Sequence, residues 1–348
     1  MSASEVPERI VVLHNTDYDA ELTAGTGVDV SAVHLSAMAV VEALRQGGVD
    51  VELVGLEGPR DLFEVVGALR ARPPHVIFNL CESMGGDPRN EPTLPALLDL
   101  YKLPYTGADA LALGVCLHKR RTKDVLIGRG VPTPPFRFLT LRRDADLDAL
   151  RARPLDYPWF LKLAHEDASI GVEETNVVHS LEELVIRARR MWDEFGQSLV
   201  AERYVEGREV NVTLLGDPEQ PTILPLHEID FAAMPAGRPH IVTYAGKWDE
   251  QHVDYAGTKP VPMRDLDDAL RGRIEDAARA AWQACGLRDY GRVDLRIDAA
   301  GAPWVIDVNP NPDVSPDAGV ARSARAAGMT YPELILRIAT GAWARRRR

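Results

Sequence analysis

Residues 291–311 read GRVDLRIDAAGAPWVIDVNPN, two short alternating runs that carry acids, an amide and arginines and are joined by a Gly-containing turn. In the first run Val293, Leu295 and Ile297 alternate with Arg292, Asp294 and Arg296, and a side-chain period of two sends the two sets to opposite faces of a strand. In the second, Trp304, Ile306 and Val308 alternate with Val305, Asp307 and Asn309. A two-residue turn at Ala300 and Gly301 sets Asp294 opposite Asp307 and Arg292 opposite Asn309. Three oxygen ligands and one cation then converge. Hard divalent ions such as Mg²⁺ take oxygen ligands, commonly one or two carboxylates, and bridge them to substrate phosphates. Asp294, Asp307 and Asn309 are therefore the candidate metal ligands; the alternative for the same residues is an edge hairpin with a solvated acidic face.

The elements that position this hairpin are those of a multidomain globular chain. With 348 residues, 45% of them hydrophobic, there is material for two or three packed cores. A formal net charge of −12 argues against a general nucleic-acid partner, which requires clustered Lys and Arg, and the terminal run of four arginines reads as a solvated tail. No run of 18 apolar residues and no signal-type apolar core near the N-terminus occurs, so no membrane partner and a cytoplasmic location are expected. Cys81, Cys116 and Cys285 are odd in number and widely spaced; buried thiols are expected, with neither a disulfide framework nor a zinc cluster.

In chain order, residues 9–14 read as a buried strand, 15–27 as a polar stretch, 29–46 as a helix, 49–56 as a strand, 61–71 as a helix and 75–80 as a strand. This alternation predicts a parallel sheet in a Rossmann-like first domain. No GxGxxG follows its first strand, so a dinucleotide site has no support. Functional loops belong beyond the carboxyl ends of the strands, at 14–21 and 81–91. Residues 94–101 should be helical, and 111–129 one basic helix with Lys119 and Lys123 a turn apart. After a break at Pro132, Pro134 and Pro135, a smaller α/β unit should hold a strand at 157–163 with Lys162 near its end, a turn at 167–171, a strand at 172–178, an amphipathic helix at 181–195 and a strand at 199–204 with Glu202 projecting. A strand at 207–215 follows across a Glu-Gly turn, so that the two strands could grip a flat ligand. The third unit comprises strand sequence at 222–229, a loop at 230–259, a helix at 266–284, the hairpin and a last helix at 331–339.

Taken in order, the lysine-bearing strand, the small-residue loop, the segment EXXXXGXE and RxD followed by DxN resemble the ATP-grasp superfamily, and more closely the D-alanine–D-alanine ligases. The resemblance runs from about residue 94 to 338. It rests on LPYTG before a lysine-bearing helix, GVPTPP, YPWFLK, AERYVEGREV, TYAGKW, GRVDLRID, and VIDVNPNP followed by ARAAGMTYPELILRI. It implies an α/β ATP-grasp fold of three α/β or α+β domains: a Rossmann-like N-terminal domain at 1–115, a central small ATP-grasp domain at 116–205 and a C-terminal ATP-grasp domain with the metal site at 206–348. It further implies that Lys119 and Lys162 face ATP phosphates, that Ser169 belongs to the phosphate lid, that Glu202 with the backbone of Arg203 and Val205 recognises adenine, and that Glu209 receives the ribose hydroxyls. Lys247 becomes a further phosphate-facing, catalytic lysine. The same resemblance assigns Mg²⁺, with Mn²⁺ as the alternative, to Asp294, Asp307 and Asn309, and gives Arg292 the negative charge that develops on the reacting acyl group.

Departures from the family pattern concern the substrates. Asp307 stands where Glu is usual. NPNPDVSPDAGV places Asp313 in a Gly position and Ala318 near a Ser position; NLCESMGGDPRNEP at 79–92 replaces a His-Gly loop, and HNTDYDAEL follows the first strand in place of a Glu-Ser segment. An acid at 313 repels a substrate carboxylate, while Asp17, Asp19 and Glu21 suit an ammonium group. The expected activity is an ATP-dependent carboxylate–amine ligase: the γ-phosphoryl passes to a carboxylate, an amine attacks the acyl phosphate, and ADP and phosphate leave. Its partners are small-molecule carboxylate and amine substrates, with a homodimer open as the assembly. The alternatives are a D-alanine–D-alanine ligase proper, amine condensation through a phosphorylated enol giving an imine, and a non-catalytic nucleotide-binding regulator.

Overall fold

The computed structural model describes residues 6–16, 30–140, 150 and 156–346; Asp17, Asp19 and Glu21 lie outside them. Buried aliphatic runs make the first sheet: β1 (Arg9–Asn15), β2 (Asp50–Leu56) and β3 (Val76–Leu80) pair in parallel in the order β2-β1-β3. Ile10 and Val12 of β1 enter one core and Val11 and Leu13 another, the arrangement that a near-continuous apolar strand covered on both faces requires. Helices α1 (Val30–Gln46), α2 (Leu62–Ala71) and α3 (Thr93–Leu100) connect and cover it.

The stretch 111–129 is two helices rather than one, α4 (Ala110–Cys116) and α5 (Lys119–Gly128). The break falls at His118, whose backbone is extended, and the Lys119 N–H donates outside the helix to the Ala164 carbonyl at 3.0 Å. Lys119 thereby opens a helix instead of lying on the side of one.

The second sheet is antiparallel, with β4 (Phe136–Leu139), β5 (Trp159–Leu163), β6 (Val177–Val178) and β7 (Leu199–Arg203) in the order β4-β7-β5-β6. Helix α6 (Leu181–Phe195) covers it, started by the Ser180 side chain accepting from the Glu183 N–H and ended by left-handed Gly196. The strand expected at 172–178 shrinks to two residues because Glu173 and Asn176 cap a 3₁₀ turn between them.

The third sheet runs β11-β10-β8-β12-β13 with β9 on β8: β8 (Arg208–Gly216), β9 (Pro221–Ile223), β10 (His227–Asp230), β11 (Lys259–Pro262), β12 (Asp289–Ile297) and β13 (Pro303–Asn309). Strands β7 and β8 do not pair across the Glu-Gly turn; the chain crosses there from the second sheet to the third. A short helix α7 (Tyr244–Trp248) interrupts the stretch expected as loop, and α8 (Asp268–Cys285) packs its Ile274, Ala278, Ala281 and Trp282 against Val212, Val293 and Leu295. After α9 (Gly319–Ala326), the last helix α10 (Tyr331–Arg345) runs past the expected 339. Its Leu334, Ile335, Ile338 and Ala342 share one core with Ile10, Val12, Val41 and Leu44, so the end of the chain covers the first sheet. Among the described residues no helix is long and apolar enough to cross a membrane.

Candidate active site

The β12–β13 hairpin has the expected pairing at its acidic end, Arg292 opposite Asn309 and Asp294 opposite Asp307, but by a different route. Its turn is not Ala300-Gly301 alone. Ile297 faces Pro303, and Asp298 holds the loop 298–302 by accepting from the Ala300 and Ala302 N–H groups at 2.9 Å each and from Trp304 Nε1 at 2.9 Å. That loop alone would misalign the acids by one residue. A register shift between Asp294 and Leu295 corrects it, leaving Ile306 as an extra residue on β13. The same bulge overturns the simple alternation expected for this strand, because Val305 and Val308 both enter the core. It also frees the Ile306 carbonyl, which accepts from Lys162 Nζ at 2.9 Å.

Asp294 accepts a bidentate pair from Arg292 at 2.8 and 2.9 Å and further bonds from Asn211 Nδ2 at 2.8 Å and Asn309 Nδ2 at 3.1 Å. Asp307 accepts from Lys119 Nζ at 3.0 Å. Burial works against its charge, but Lys119 and then Lys162 outweigh it and hold the carboxyl at about 2. Two opposed carboxylates and an amide, with no sulfur or imidazole, match a hard divalent cation. Among the described residues no three His, Cys, Asp or Glu side chains converge as a metal site; the third candidate ligand, Asn309, is an amide beside Asp294. Arg292 and Lys119 now supply the positive charge that the paired acids need, and a divalent ion would take over part of that role.

Lys119 is buried and bridges Asp307 to Asp167 Oδ1, 2.8 Å away. Through Lys119, Asp167 thus ties the loop 164–172 to the hairpin. The loop turns through left-handed Ala168, Ser169 and Gly171 (φ 52, 63 and 71°). Trp248 Nε1 donates to the Ala168 carbonyl at 3.2 Å and the Tyr244 N–H to Val172 at 2.9 Å, so α7, which bears Lys247, is carried with the loop. Lys247 is exposed, 5.0 Å above the Trp248 ring, and within electrostatic reach of Arg292, Asp294, Asp167 and Asp313. Lys162, from β5, pairs with Glu202 Oε1 at 2.9 Å, and Lys123, from α5, with Glu202 Oε2 at 2.5 Å. Burial opposes the Glu202 charge; the two lysines overcome it and lower its pKa. Lys162→Ala is expected to lower unfolding stability by about 1–3 kcal/mol, less than a fully broken buried pair because Lys123 still holds Glu202; a denaturant titration measures it.

The family model for the D-ala D-ala ligase C-terminus matches residues 125–340, which include β5, β7, the lysine-bearing α7 and the acidic hairpin. The chain belongs to the D-alanine–D-alanine ligase family. It is an ATP-grasp enzyme forming C–N bonds, a carboxylate–amine ligase that uses ATP and Mg²⁺. It is 30% identical over 322 residues to a D-alanine–D-alanine ligase of Bordetella petrii, covering 92% of this chain and 90% of that protein. An uncharacterized protein of Sinorhizobium fredii is 30% identical over 304 residues, 86% of this chain and 84% of that one. The ATP-complexed D-alanine–D-alanine ligase of Bacillus anthracis shares the fold, with a TM-score of 0.72, 23% identity and coverage of 98% of this chain and 99% of that one.

Within this ligase the remaining expected residues fall as follows. Arg203 exposes its side chain and uses its N–H on the Pro135 carbonyl at 2.9 Å. The Val205 carbonyl and the Glu209 carboxylate are both held by Arg296, at 2.9 and 3.0 Å. Ser169 is half-buried in the turn of the loop 164–172. Asp313 is exposed and accepts from the N–H and hydroxyl of Ser315 at 2.8 and 2.7 Å. Sequence reasoning missed Lys123, Asn211, Arg296, Glu82, Glu91 and Asn311. Lys123, on a helix already singled out, Arg296, in step with Arg292 and Asp294, Glu82 and Glu91, inside the loop 81–91, and Asn311, at the end of the stretch 291–311, had a visible signal; Asn211 had none. Asn311 reaches the first sheet's loop, accepting from the Ala108 N–H at 2.9 Å and donating to Glu91 at 3.4 Å. Glu82 is reached by solvent yet ringed by protein; desolvation, then the charges of Asp313 and Asp167, raise its carboxyl pKa to about 7. Desolvation and Glu82 likewise raise Glu91.

Proposed function

We propose that the nucleotide lies between the second and third sheets, its phosphates toward Lys119 and Lys162, its lid the loop bearing Ser169, its base at Glu202 and the backbone of Arg203 and Val205, and its ribose at Glu209. The observation that carries this is Lys119: one buried ammonium joins the lid acid Asp167 to the hairpin acid Asp307. A polyphosphate arriving there exchanges one anionic partner for another. Asp294, Asp307 and Asn309 would hold the divalent ion, which would neutralise phosphate charge. Arg292, preset by its bidentate hold on Asp294, faces the charge growing on the acyl oxygen, and Lys247 approaches with the lid. The substrate carboxylate takes the γ-phosphoryl group; an amine then displaces phosphate from the acyl phosphate. The proposed division is 1–115, 116–205 and 206–348, each part holding one sheet while the last helix packs back on the first, and a cytoplasmic homodimer is the proposed form.

The Bordetella petrii and Bacillus anthracis relatives are D-alanine–D-alanine ligases, but Asp313, Glu82 and Glu91 stand near this site, and like charge there works against a substrate carboxylate. We propose an amine substrate that lacks a free carboxylate at that point or carries a cation. Incubation with Mg·ATP, pooled amino acids as the source of the carboxylate and a panel of neutral, cationic and acidic amines, D-alanine among them, with ADP and ligated product measured, tests both statements. ADP-coupled ligation of a cationic or neutral amine is expected. Efficient D-alanyl-D-alanine formation overturns the substrate proposal alone, whereas failure to bind nucleotide overturns the site.

A further inference from the structure

Lys123 follows Lys119 by one helical turn but points into a different cluster. It is 2% exposed, with its ammonium on Glu202 Oε2 and, at 2.9 Å, on Thr133 Oγ1, which itself donates to the Val305 carbonyl at 2.7 Å. The other oxygen of Glu202 takes Lys162, whose ammonium also reaches the Ile306 carbonyl. One carboxylate is thus divided between two lysines, in a layer where all three residues are at least nine-tenths buried. Charges in such a layer are weakly screened, so the division matters. If Lys123 were absent, Glu202 could turn both oxygens to Lys162 and form a neutral pair. With Lys123 present, one oxygen is taken and the cluster keeps a net positive charge beside the proposed phosphate seat.

We propose that Lys123 is a positioning residue: by engaging Glu202 Oε2 it limits that carboxylate to single contact with Lys162 and leaves the Lys162 ammonium charge available to a nucleotide phosphate. This rests on the nucleotide site proposed above. The test is a double-mutant cycle on the full chain with Mg·ADP as the calorimetric probe. Lys123→Met should weaken Mg·ADP binding at least tenfold when Glu202 is present, but less than threefold in the Glu202→Gln background, where residue 202 no longer carries a carboxylate that could close on Lys162. Lys123→Arg, which keeps the charge, should bind within threefold of the unsubstituted chain and serves if Lys123→Met does not fold. An unchanged affinity in Lys123→Met overturns the inference, as does an equal loss in both backgrounds, which would mean that Lys123 acts directly or by packing. For Lys123→Arg, a tenfold loss overturns it. No binding of Mg·ADP by the unsubstituted chain removes the nucleotide site, and this inference with it.

Discussion

Asp294→Asn and Asn309→Ala are each expected to abolish ADP formation while the chain stays folded. The loss should be at least about a thousandfold, the rate equivalent of several kcal/mol of charge stabilisation in phosphoryl transfer. Asp294 is the hub of its side of the hairpin, accepting from Arg292, Asn211 and Asn309 together. Its neutral isostere keeps the shape, weakens the hold on Arg292 and removes an anionic oxygen ligand. The cost to folding should be about 1–3 kcal/mol, because Arg292 is partly open to solvent and retains some hydration. Asn309→Ala removes one bond to the same carboxylate and should cost less. Circular dichroism and a thermal melt establish the fold, and an assay at saturating Mg²⁺ with the active amine of the panel reads ADP. Turnover at the unsubstituted rate in either variant would refute the ligand assignment.

The second large effect is on folding. Gly207→Ala should destabilise the chain by about 3 kcal/mol, from strain at a glycine-only backbone angle together with a backbone clash. Gly207 has φ 142°, and a Cβ there would lie 1.9 Å from the Ile297 carbonyl oxygen. Neither partner can swing away as a side chain would, since the contact is with the end of β12. The position is also the crossing between β7 and β8, so relief of the clash would shift Glu202 relative to Glu209. Urea unfolding of the variant should show a lower midpoint, and the soluble folded fraction should bind Mg·ADP more weakly. A variant as stable as the unsubstituted chain would show that the crossing can relax freely.

What the sequence by itself determined was local and periodic. Apolar runs at β1 and β3, which suit strands covered on both faces, and the alternation Val293, Leu295, Ile297 defined strands and faces because successive side chains leave a strand on opposite sides. The ordered motifs identified the ligase family and brought forward Lys119, Lys162, Glu202, Asp294, Asp307 and Asn309 as candidates. What only the tertiary structure decided was partnership across distance. The facing of Asp294 and Asp307 depends on a loop held by Asp298 and a compensating bulge at Ile306, and two offsetting irregularities leave no trace in a period-two pattern. Helix 111–129 breaks at His118 because the Lys119 N–H finds the Ala164 carbonyl just past the end of β5, a choice invisible to local propensity. Lys123 lies on a basic helix, a pattern that does not distinguish a solvated face from a buried one; it is buried because Glu202, remote in sequence, and Thr133, just past the helix, supply the charge and the acceptor that make burial tolerable. Asn311 and Arg296 act in the same way, joining segments whose proximity arises only when the three sheets pack together.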